Sequence, residues 1–205
     1  MNRRWNVVHA LTSQILFMTQ DQLRRGWNLS ESGAAEVARR LLSTGLVEKT
    51  TVLSPRPEQL TQPICSWSAP RAPPNMRPIS YEAIKKWRKP PRQQTVFYAS
   101  PHAANLAGGI SGCPKNPFQA QHALQLSEVH LAYRRNWPEL AECWVLPEML
   151  SKDSPFRRGR VPDAFLIGSD GLPFRAIEVV GSYPVSRLES LHLSCSRQQL
   201  AYELW

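Results

Sequence analysis

Residues 161–180 read VPDAFLIGSDGLPFRAIEVV. Two apolar runs flank the tetrapeptide GSDG at positions 168–171, whose residues are typical of a hairpin turn. The stretch therefore predicts an antiparallel β-hairpin. One arm carries Asp163 and the other carries Glu178, so two carboxylates are expected on neighbouring strands.

The stretches beside this hairpin predict helices and one further strand. Residues 118–135 have apolar side chains at helical spacing, and they include Glu128. Residues 144–146 predict a short strand, and residues 186–205 predict a C-terminal helix. The second half of the chain is thus expected to contain a helix, a strand, the hairpin and a helix, in that order.

This order resembles the PD-(D/E)XK nuclease fold, a small three-layer α/β domain. Pro162-Asp163 and Glu178-Val179-Val180 are similar to the motif that names the fold. Glu128 is similar to the acidic residue often found on its first helix. Gln198 and Tyr202 are similar to the Gln-xxx-Tyr motif of its RecB-like branch. The resemblance implies catalytic roles for Glu128, Asp163, Glu178, Gln198 and Tyr202.

The same resemblance implies that Asp163 and Glu178 bind Mg²⁺ or Mn²⁺, with the carbonyl of Val179 as a further ligand. Such a metal would activate water and stabilise the charge that develops on a scissile phosphate. Where the motif has lysine, however, this chain has Val180. Residues i and i+2 of a strand share a face, so Val180 is expected beside Glu178. An active metal-dependent endonuclease and a degenerate fold kept for binding or assembly both remain hypotheses.

Few residues can substitute for the missing lysine. Arg175 is expected on the face of the strand opposite Glu178. Arg187, on the predicted last helix, is the remaining candidate.

The N-terminal residues predict three helices followed by a strand at residues 46–53, which is expected to start a hairpin. Residues 5–17 have helical periodicity, and Thr19 to Gln22 has the pattern of a capping box for a short second helix. Ser30 or Ser32 is expected to cap a third helix, which ends near Gly45 before a strand.

This order of elements is typical of a winged helix-turn-helix. Arg39 and Arg40 on the third helix are expected to reach phosphates or guanine edges in the major groove. The alternative is a three-helix unit that contacts a protein.

Residues 54–91 contain nine prolines, which exclude long helices. A free linker would not need Trp67 and Trp87, so this passage is interpreted as an ordered strap over the first domain, with a short helix near residues 80–88. Lys85, Lys86 and Arg88 form a basic cluster beside Trp87. The cluster is expected either to contact backbone phosphates or to be a solvated face.

Charge is distributed unevenly along the chain. Residues 1–100 contain 15 Lys and Arg against six Asp and Glu, whereas residues 101–205 contain ten of each. A basic half favours a polyanionic partner. No apolar run approaches the ~18 residues that span a bilayer, and no secretory signal is recognised. Four scattered cysteines argue against a zinc site and for reduced thiols. The protein is therefore expected in the cytoplasm, without a membrane partner.

The two halves together resemble the replication-relaxation family. Its members are proteins of bacteria and of plasmids or mobile elements, with a winged helix fused to a PD-(D/E)XK-like domain. The segments that carry the resemblance are LTQPICSW at 60–67, HALQLSEVHLAY at 122–133, PDAF at 162–165 and AIEVVGSY at 176–183.

The predicted domains are 1–66 (winged helix-turn-helix), 67–100 (proline-rich basic strap) and 101–205 (nuclease-like). The implied function is binding of double-stranded DNA on a plasmid or mobile element. A homodimer or a mobile-element protein is the other expected partner. The further alternative is a protein-interaction subunit of a mobile-element or defence complex.

Overall fold

The computed structural model describes residues 3–112 and 117–205, and the protein has a mixed α/β fold with two sheets. Its helices are α1 (Arg3–His9), α2 (Gln20–Gly26), α3 (Glu31–Ser43), α4 (Met76–Trp87), α5 (Pro101–Ala107), α6 (Pro117–Asn136), α7 (Pro138–Glu142) and α8 (Val185–Arg197). Its strands are β1 (Phe17–Thr19), β2 (Val47–Ser54), β3 (Cys65–Trp67), β4 (Arg92–Ala99), β5 (Trp144–Val145), β6 (Ala164–Ile167), β7 (Pro173–Glu178) and β8 (Ala201–Leu204). None of the described helices is both long and apolar enough to cross a membrane.

The chain forms two compact units, and each unit is built from two separate stretches. Unit 1 comprises Met1–Gln59 and Pro90–Pro138. Unit 2 comprises Leu60–Lys89 and Glu139–Trp205. Leu60–Lys89, which lies between β2 and β4 in the sequence, therefore belongs to unit 2, whereas both strands belong to unit 1.

These units differ from the predicted domains 1–66, 67–100 and 101–205. β4 was placed in the strap, but it pairs with both β1 and β2, so its backbone hydrogen bonds are made inside unit 1. β3 pairs with β8, which draws the proline-rich passage into unit 2. Strand pairing over long sequence separations thus decides the division, and local composition does not reveal it.

The sheet of unit 1 is antiparallel, with the strand order β1-β4-β2. β2 and β4 pair over their full length, from Val47 opposite Ala99 to Ser54 opposite Arg92. The prediction that the strand at 46–53 starts a local hairpin is therefore wrong, because its partner is the distant strand β4. α6 packs on this sheet through small and apolar side chains. The buried cluster that they form consists of Phe17, Val52, Val96, Ala120, Ala123 and Leu124.

The predicted starts of the second and third helices are confirmed. Thr19 accepts a hydrogen bond from the backbone N–H of Gln22, and the Gln22 side chain accepts one from the N–H of Thr19. This pair is the capping box that the sequence indicated. Of the two candidate caps of α3, Ser30 accepts from Gly33 at 3.0 Å. The first helix is shorter than predicted, because a π-helical turn at Ala10–Gln14 follows α1.

The sheet of unit 2 has the strand order β3-β8-β7-β6-β5. β7 and β8 are parallel, and the other neighbours are antiparallel. The predicted hairpin is confirmed, with Ala164 of β6 opposite Ile177 of β7. α4 and α8 contribute to the main core of this unit. That core includes Trp67, Ile79, Phe165, Ala176, Val180, Leu188, Leu191, Tyr202 and Leu204.

The predicted C-terminal helix over 186–205 is wrong in its last third. α8 ends at Arg197, Gln199 has a positive φ of 52°, and the chain then forms β8. Leu200, Tyr202 and Leu204 alternate with less apolar neighbours, a period of two that is typical of a strand. β8 is buried on both faces, since Glu203 is buried as well as Tyr202 and Leu204. The four-residue spacing of Leu200 and Leu204 also fits a helix, which explains the wrong prediction.

Leu60–Lys89, most of the proline-rich passage, belongs to unit 2 rather than forming a strap over the first domain. Trp67 of β3 is buried in the core of unit 2. The indole N–H of Trp87, at the end of α4, donates to the carbonyl of Val180 at 2.7 Å. Both tryptophans therefore hold this passage against unit 2, and the predicted short helix is extended to Met76–Trp87.

Candidate functional site

The two carboxylates of the hairpin lie side by side in unit 2. Asp163 directly precedes β6, and its N–H donates to the carbonyl of Ile177 at 3.0 Å. Glu178 is the last residue of β7. Asp163 Oδ2 accepts a hydrogen bond from the N–H of Val179 at 2.8 Å. The hairpin thus brings together the acidic pair that the sequence predicted.

A guanidinium group already binds one of these acids. Arg160 Nη2 forms an ion pair and hydrogen bond with Glu178 Oε1. The Glu178 side chain is only 1% exposed, and the Arg160 side chain is 20% exposed. Burial lowers the pKa of Arg160, but the charge of Glu178 and its hydrogen bond outweigh burial and keep that pKa above its ordinary value. Arg160 is therefore a permanent cation beside the acid pair.

Tyr183 completes this cluster. The guanidinium carbon of Arg187 lies 3.7 Å from the centroid of the Tyr183 ring, and that of Arg160 lies 5.3 Å from it. Burial, together with the charges of Asp163 and Glu178, raises the pKa of the Tyr183 hydroxyl above its ordinary value. The ring stays neutral and serves as a cation–π partner for two arginines.

Val180 does not supply the cation that the nuclease motif requires. It is 2% exposed and packs in the core of unit 2. Arg175, expected on the opposite face of the strand, bonds to Glu203 at 2.8 Å rather than to Glu178. Arg187 contacts the Tyr183 ring. The charge partner of Glu178 is instead Arg160, for which the sequence predicted no role.

Of the other predicted catalytic residues in unit 2, Tyr202 lies in the core. Its hydroxyl forms a hydrogen bond with His192 Nδ1 at 3.1 Å, and its ring stacks on Trp67 with centroids 5.4 Å apart. Gln198 is the C-cap residue of α8. Tyr202 lies on β8, so the two residues do not share a helix. The four-residue spacing of the Gln-xxx-Tyr motif therefore does not place them on one helical face.

Glu128 belongs to unit 1, whereas Asp163 and Glu178 belong to unit 2. It lies on α6 and is 1% exposed. Gln22 donates to its Oε1 at 2.9 Å, and Arg25 donates to its Oε2 at 2.9 Å. Burial lowers the pKa of Arg25, but the hydrogen bonds and charges of Glu128 and Asp21 outweigh burial and keep that pKa above its ordinary value. Glu128 therefore ties α2 to α6, and the catalytic role predicted for it stays a prediction.

Whether the acid pair can hold a divalent ion depends on which of its oxygens are available as ligands. Mg²⁺ needs oxygen ligands at about 2.0–2.1 Å in octahedral geometry. Arg160 holds one oxygen of Glu178, and the N–H of Val179 holds one oxygen of Asp163. Within the described ranges no group of three or more His, Cys, Asp or Glu is arranged to hold a metal. A divalent ion at this pair would therefore compete with the guanidinium of Arg160 for Glu178.

The predicted DNA-binding arginines lie on the exposed face of α3. Arg39 Nη2 contacts Glu36 Oε1 at 2.8 Å, and Arg40 contacts the same oxygen. The hydrogen bonds from Arg40 and Arg39 lower the pKa of the Glu36 carboxyl. The arginine side chains are 68% and 53% exposed. Exposed ion pairs of this kind are weak, so both guanidiniums can exchange Glu36 for another anion.

The second predicted DNA-binding cluster belongs to α4 of unit 2. Lys85 and Lys86 lie in its last turn, and Arg88 follows as its C-cap residue. All three side chains are exposed, as is Tyr81 on the same helix. The exposure of this cluster is compatible with both alternatives, a phosphate contact and a solvated face, and the cluster lies in a different unit from α3.

No protein-family model, no curated protein and no solved structure matches this chain. The resemblances drawn from the sequence therefore stay expectations. The features that bear on function are the exposed arginines of unit 1 and the cluster of Asp163, Glu178, Arg160 and Tyr183 in unit 2.

Arg160 and Tyr183 are the residues that sequence reasoning missed. Arg160 lies three residues before Asp163, within the basic run that begins at Arg157. Tyr183 follows Gly181, where any Cβ would lie within 3.0 Å of the Tyr183 ring. An arginine close to a predicted buried acid was the available signal for Arg160, whereas the position of Tyr183 depends on the backbone after β7.

Proposed function

We propose that this protein binds duplex DNA through unit 1, with α3 as the helix that enters the major groove. The observation that carries the proposal is the exposed pair Arg39 and Arg40 on a helix that follows α2 after a short turn. An antiparallel sheet of order β1-β4-β2 accompanies these helices. Helix-turn-helix proteins present their second helix to the major groove in this way, and the sheet would make the unit a winged helix.

The charge of unit 1 supports the same proposal. Its two stretches contain 12 Lys and Arg against six Asp and Glu, which gives a formal charge of +6. One of the six acids, Glu128, is buried and paired with Arg25, so it contributes little to the surface. Positive charge on one compact unit favours association with the phosphate backbone.

The contacts of Arg39 and Arg40 suggest how binding would proceed. In the free protein both guanidiniums share the single carboxylate of Glu36. A phosphate or the edge of a guanine offers paired acceptors for a guanidinium fork. Since the exposed pairs with Glu36 contribute little, this exchange costs little free energy. Glu36 would then restrain both side chains before binding and repel phosphates that approach it.

We propose that unit 2 does not cleave DNA and that it serves binding or assembly. The support is the ion pair between Arg160 and Glu178, which occupies a carboxylate that metal-dependent cleavage would need. Val180, in place of a lysine, supports the same conclusion. The acid pair itself favours the alternative, an endonuclease that loads a metal only when Arg160 leaves Glu178.

Fluorescence anisotropy with a labelled 30-base-pair duplex tests the DNA-binding proposal. We expect saturable binding whose affinity falls steeply between 50 and 300 mM KCl, because each phosphate contact contributes a slope of about −0.9 to log K against log[salt]. Absence of binding at 50 mM KCl would overturn the proposal and favour the protein-interaction hypothesis.

A nicking assay on supercoiled plasmid, with Mg²⁺ and then Mn²⁺, tests the second part. We expect no cleavage by the wild-type protein. Cleavage that disappears in Asp163→Ala would establish the endonuclease alternative, whereas cleavage that persists in Asp163→Ala would indicate a contaminating nuclease.

A further inference from the structure

Unit 2 contains a cationic cleft that the proposed function does not use. Its volume is about 430 Å³, and it opens between the residues around the 3₁₀ turn Pro155–Arg157 and the C-terminal half of α8. The polar residues that line it are Arg158, Arg160, Ser190, Ser194, Arg197 and Gln198. Within the described parts of the chain, the residues that line it include no carboxylate, and Arg160 forms its ion pair with Glu178.

The helical spacing of α8 explains why several of these groups converge. Ser190, Ser194 and Arg197 follow one another at intervals of four and three residues, so they share one face of the helix. Arg158 and Arg197 are exposed. Two hydroxyls and three guanidiniums thus surround one space, and these are the groups that bind phosphate oxygens in proteins.

Two buried atoms of this cleft lack partners within the part of the chain that the structure describes. Arg160 Nε donates no hydrogen bond there, although Nη2 of the same side chain binds Glu178. Gln198 Oε1 accepts no hydrogen bond there. A buried polar atom without a partner destabilises the protein, so such atoms point to a ligand that completes them.

We propose that this cleft binds the phosphate group of a nucleotide, either a free mononucleotide or a terminal nucleotide of a nucleic acid. Arg158, Arg197 and Nε of Arg160 donate to the phosphate oxygens. Gln198 Oε1 accepts from a hydroxyl or amino group of the same nucleotide. Leu193, which is 54% exposed at the rim, and Pro155 provide an apolar edge for the sugar or the base.

Glu178 acts in this proposal as a positioning residue. It binds Nη2 of Arg160, whereas Nε of the same side chain has no hydrogen-bond partner among the described residues. The phosphate therefore binds without displacing the ion pair, and no metal is required. The buried carboxylate fixes a guanidinium that would otherwise have several rotamers, which lowers the entropy lost on binding.

Two-dimensional ¹H–¹⁵N NMR of the full chain tests the proposal with inorganic phosphate, adenosine 5′-monophosphate and adenosine as probes. We expect the monophosphate to shift the amides of residues 158–160 and 190–198 saturably, and adenosine at the same concentration to leave them unshifted. Inorganic phosphate should bind more weakly than the monophosphate, because it does not reach Gln198. No shift with the monophosphate, or equal shifts with adenosine, would overturn the proposal.

Variants locate the binding in the cleft. Arg158→Gln with Arg197→Gln should weaken monophosphate binding by about tenfold or more. The charge-matched control, Arg71→Gln with Lys152→Gln, changes exposed residues outside the cleft and should bind as the wild type does. Equal affinity of the two double variants would overturn the site. Gln198→Met should lower the affinity for the monophosphate to that for inorganic phosphate. If the variant still binds the monophosphate more tightly than inorganic phosphate by the wild-type factor, Gln198 is not part of the site.

A short single-stranded oligonucleotide, with and without a 5′-phosphate, separates the two sources of the ligand. Tighter binding of the phosphorylated form assigns the cleft to nucleic-acid ends. Equal binding of both forms, while the monophosphate still binds, assigns it to free nucleotides. The proposal does not depend on duplex binding by α3, because its readout is the shift of amides in unit 2. Loss of duplex binding in the α3 variants would leave that readout unchanged.

Discussion

Arg25 and Glu128, 103 residues apart in the sequence, form a largely buried ion pair that joins α2 to α6 inside unit 1. Their side chains are 14% and 1% exposed. Gln22 binds the same carboxylate at 2.9 Å, and its Nε2 also donates to the carbonyl of Leu124 at 2.9 Å. Gln22, which belongs to the capping box at the start of α2, is thus held by α6. The position of α2 beside α3 depends on this network.

Glu128→Ala should destabilise unit 1 by about 3 kcal/mol, because removal of one partner leaves a partly buried arginine and glutamine without their acceptor. Urea unfolding followed by circular dichroism measures the change. Glu139→Gln, an exposed acid, is the control and should fall within about 0.5 kcal/mol of the wild type. An unchanged midpoint for Glu128→Ala would contradict the structural role and reopen a catalytic one.

Arg160 and Glu178 should show energetic coupling in a double-mutant cycle. Arg160→Gln and Glu178→Gln are each expected to destabilise unit 2 by about 2 kcal/mol, since each leaves the other charge at least partly buried without its partner. The double variant should be more stable than the sum predicts, with a coupling energy of about 1 kcal/mol or more. Strict additivity would show that the two groups do not interact in solution.

Glu36→Gln should tighten duplex binding. The substitution releases Arg39 and Arg40 from their shared carboxylate and removes a charge that repels phosphates. Glu31→Gln is the matched control, because Glu31 is an exposed acid in the first turn of the same helix. We expect affinity to rise about threefold more for Glu36→Gln than for Glu31→Gln at 150 mM KCl. Equal effects would mean that only net charge matters.

His130 should make the folded state sensitive to acid. It is fully buried on α6, and burial, with the charges of Arg134 and His9, lowers its pKa to about 3. Its ordinary pKa is 6.5, so below that pH the unfolded chain binds a proton that the folded chain does not. Stability should therefore fall by about 2 kcal/mol from this residue between pH 7 and pH 5.

The contribution of His130 is isolated by comparing urea unfolding at pH 7 and pH 5 in His130→Gln and in His102→Gln, which removes an exposed imidazole. The loss of stability on acidification should be smaller in His130→Gln by about 2 kcal/mol. The same pH dependence in both variants would contradict a buried, neutral His130.

Local signals predicted the local structure well. Thr19 and Gln22 marked the start of α2, and the turn at 168–171 marked the hairpin that places Asp163 beside Glu178. Each of these features is determined by residues close in sequence, because caps and tight turns depend on short-range hydrogen bonds and on backbone conformation.

Features that depend on distant pairing were not predictable in the same way. β4 completes the sheet of unit 1 only through β1 and β2, and the Glu178 charge is matched by Arg160, which the strand periodicity does not identify. β8 was interpreted as part of a helix because Leu200 and Leu204 are four residues apart, a spacing that fits a helix as well as a strand. Glu128 was assigned to the acid site from its place in the sequence, whereas its partners came from α2.

The most direct test of the role of α3 is the affinity of Arg39→Gln/Arg40→Gln for a 30-base-pair duplex across a KCl series. The charge-matched control is Arg71→Gln/Lys152→Gln, which changes exposed residues of unit 2. We expect the α3 variant to lose about tenfold or more in affinity and its salt slope to fall by about two, one for each lost phosphate contact. The control should retain both values. Equal affinities and slopes for the two variants, with unfolding midpoints like that of the wild type, would contradict DNA binding through α3.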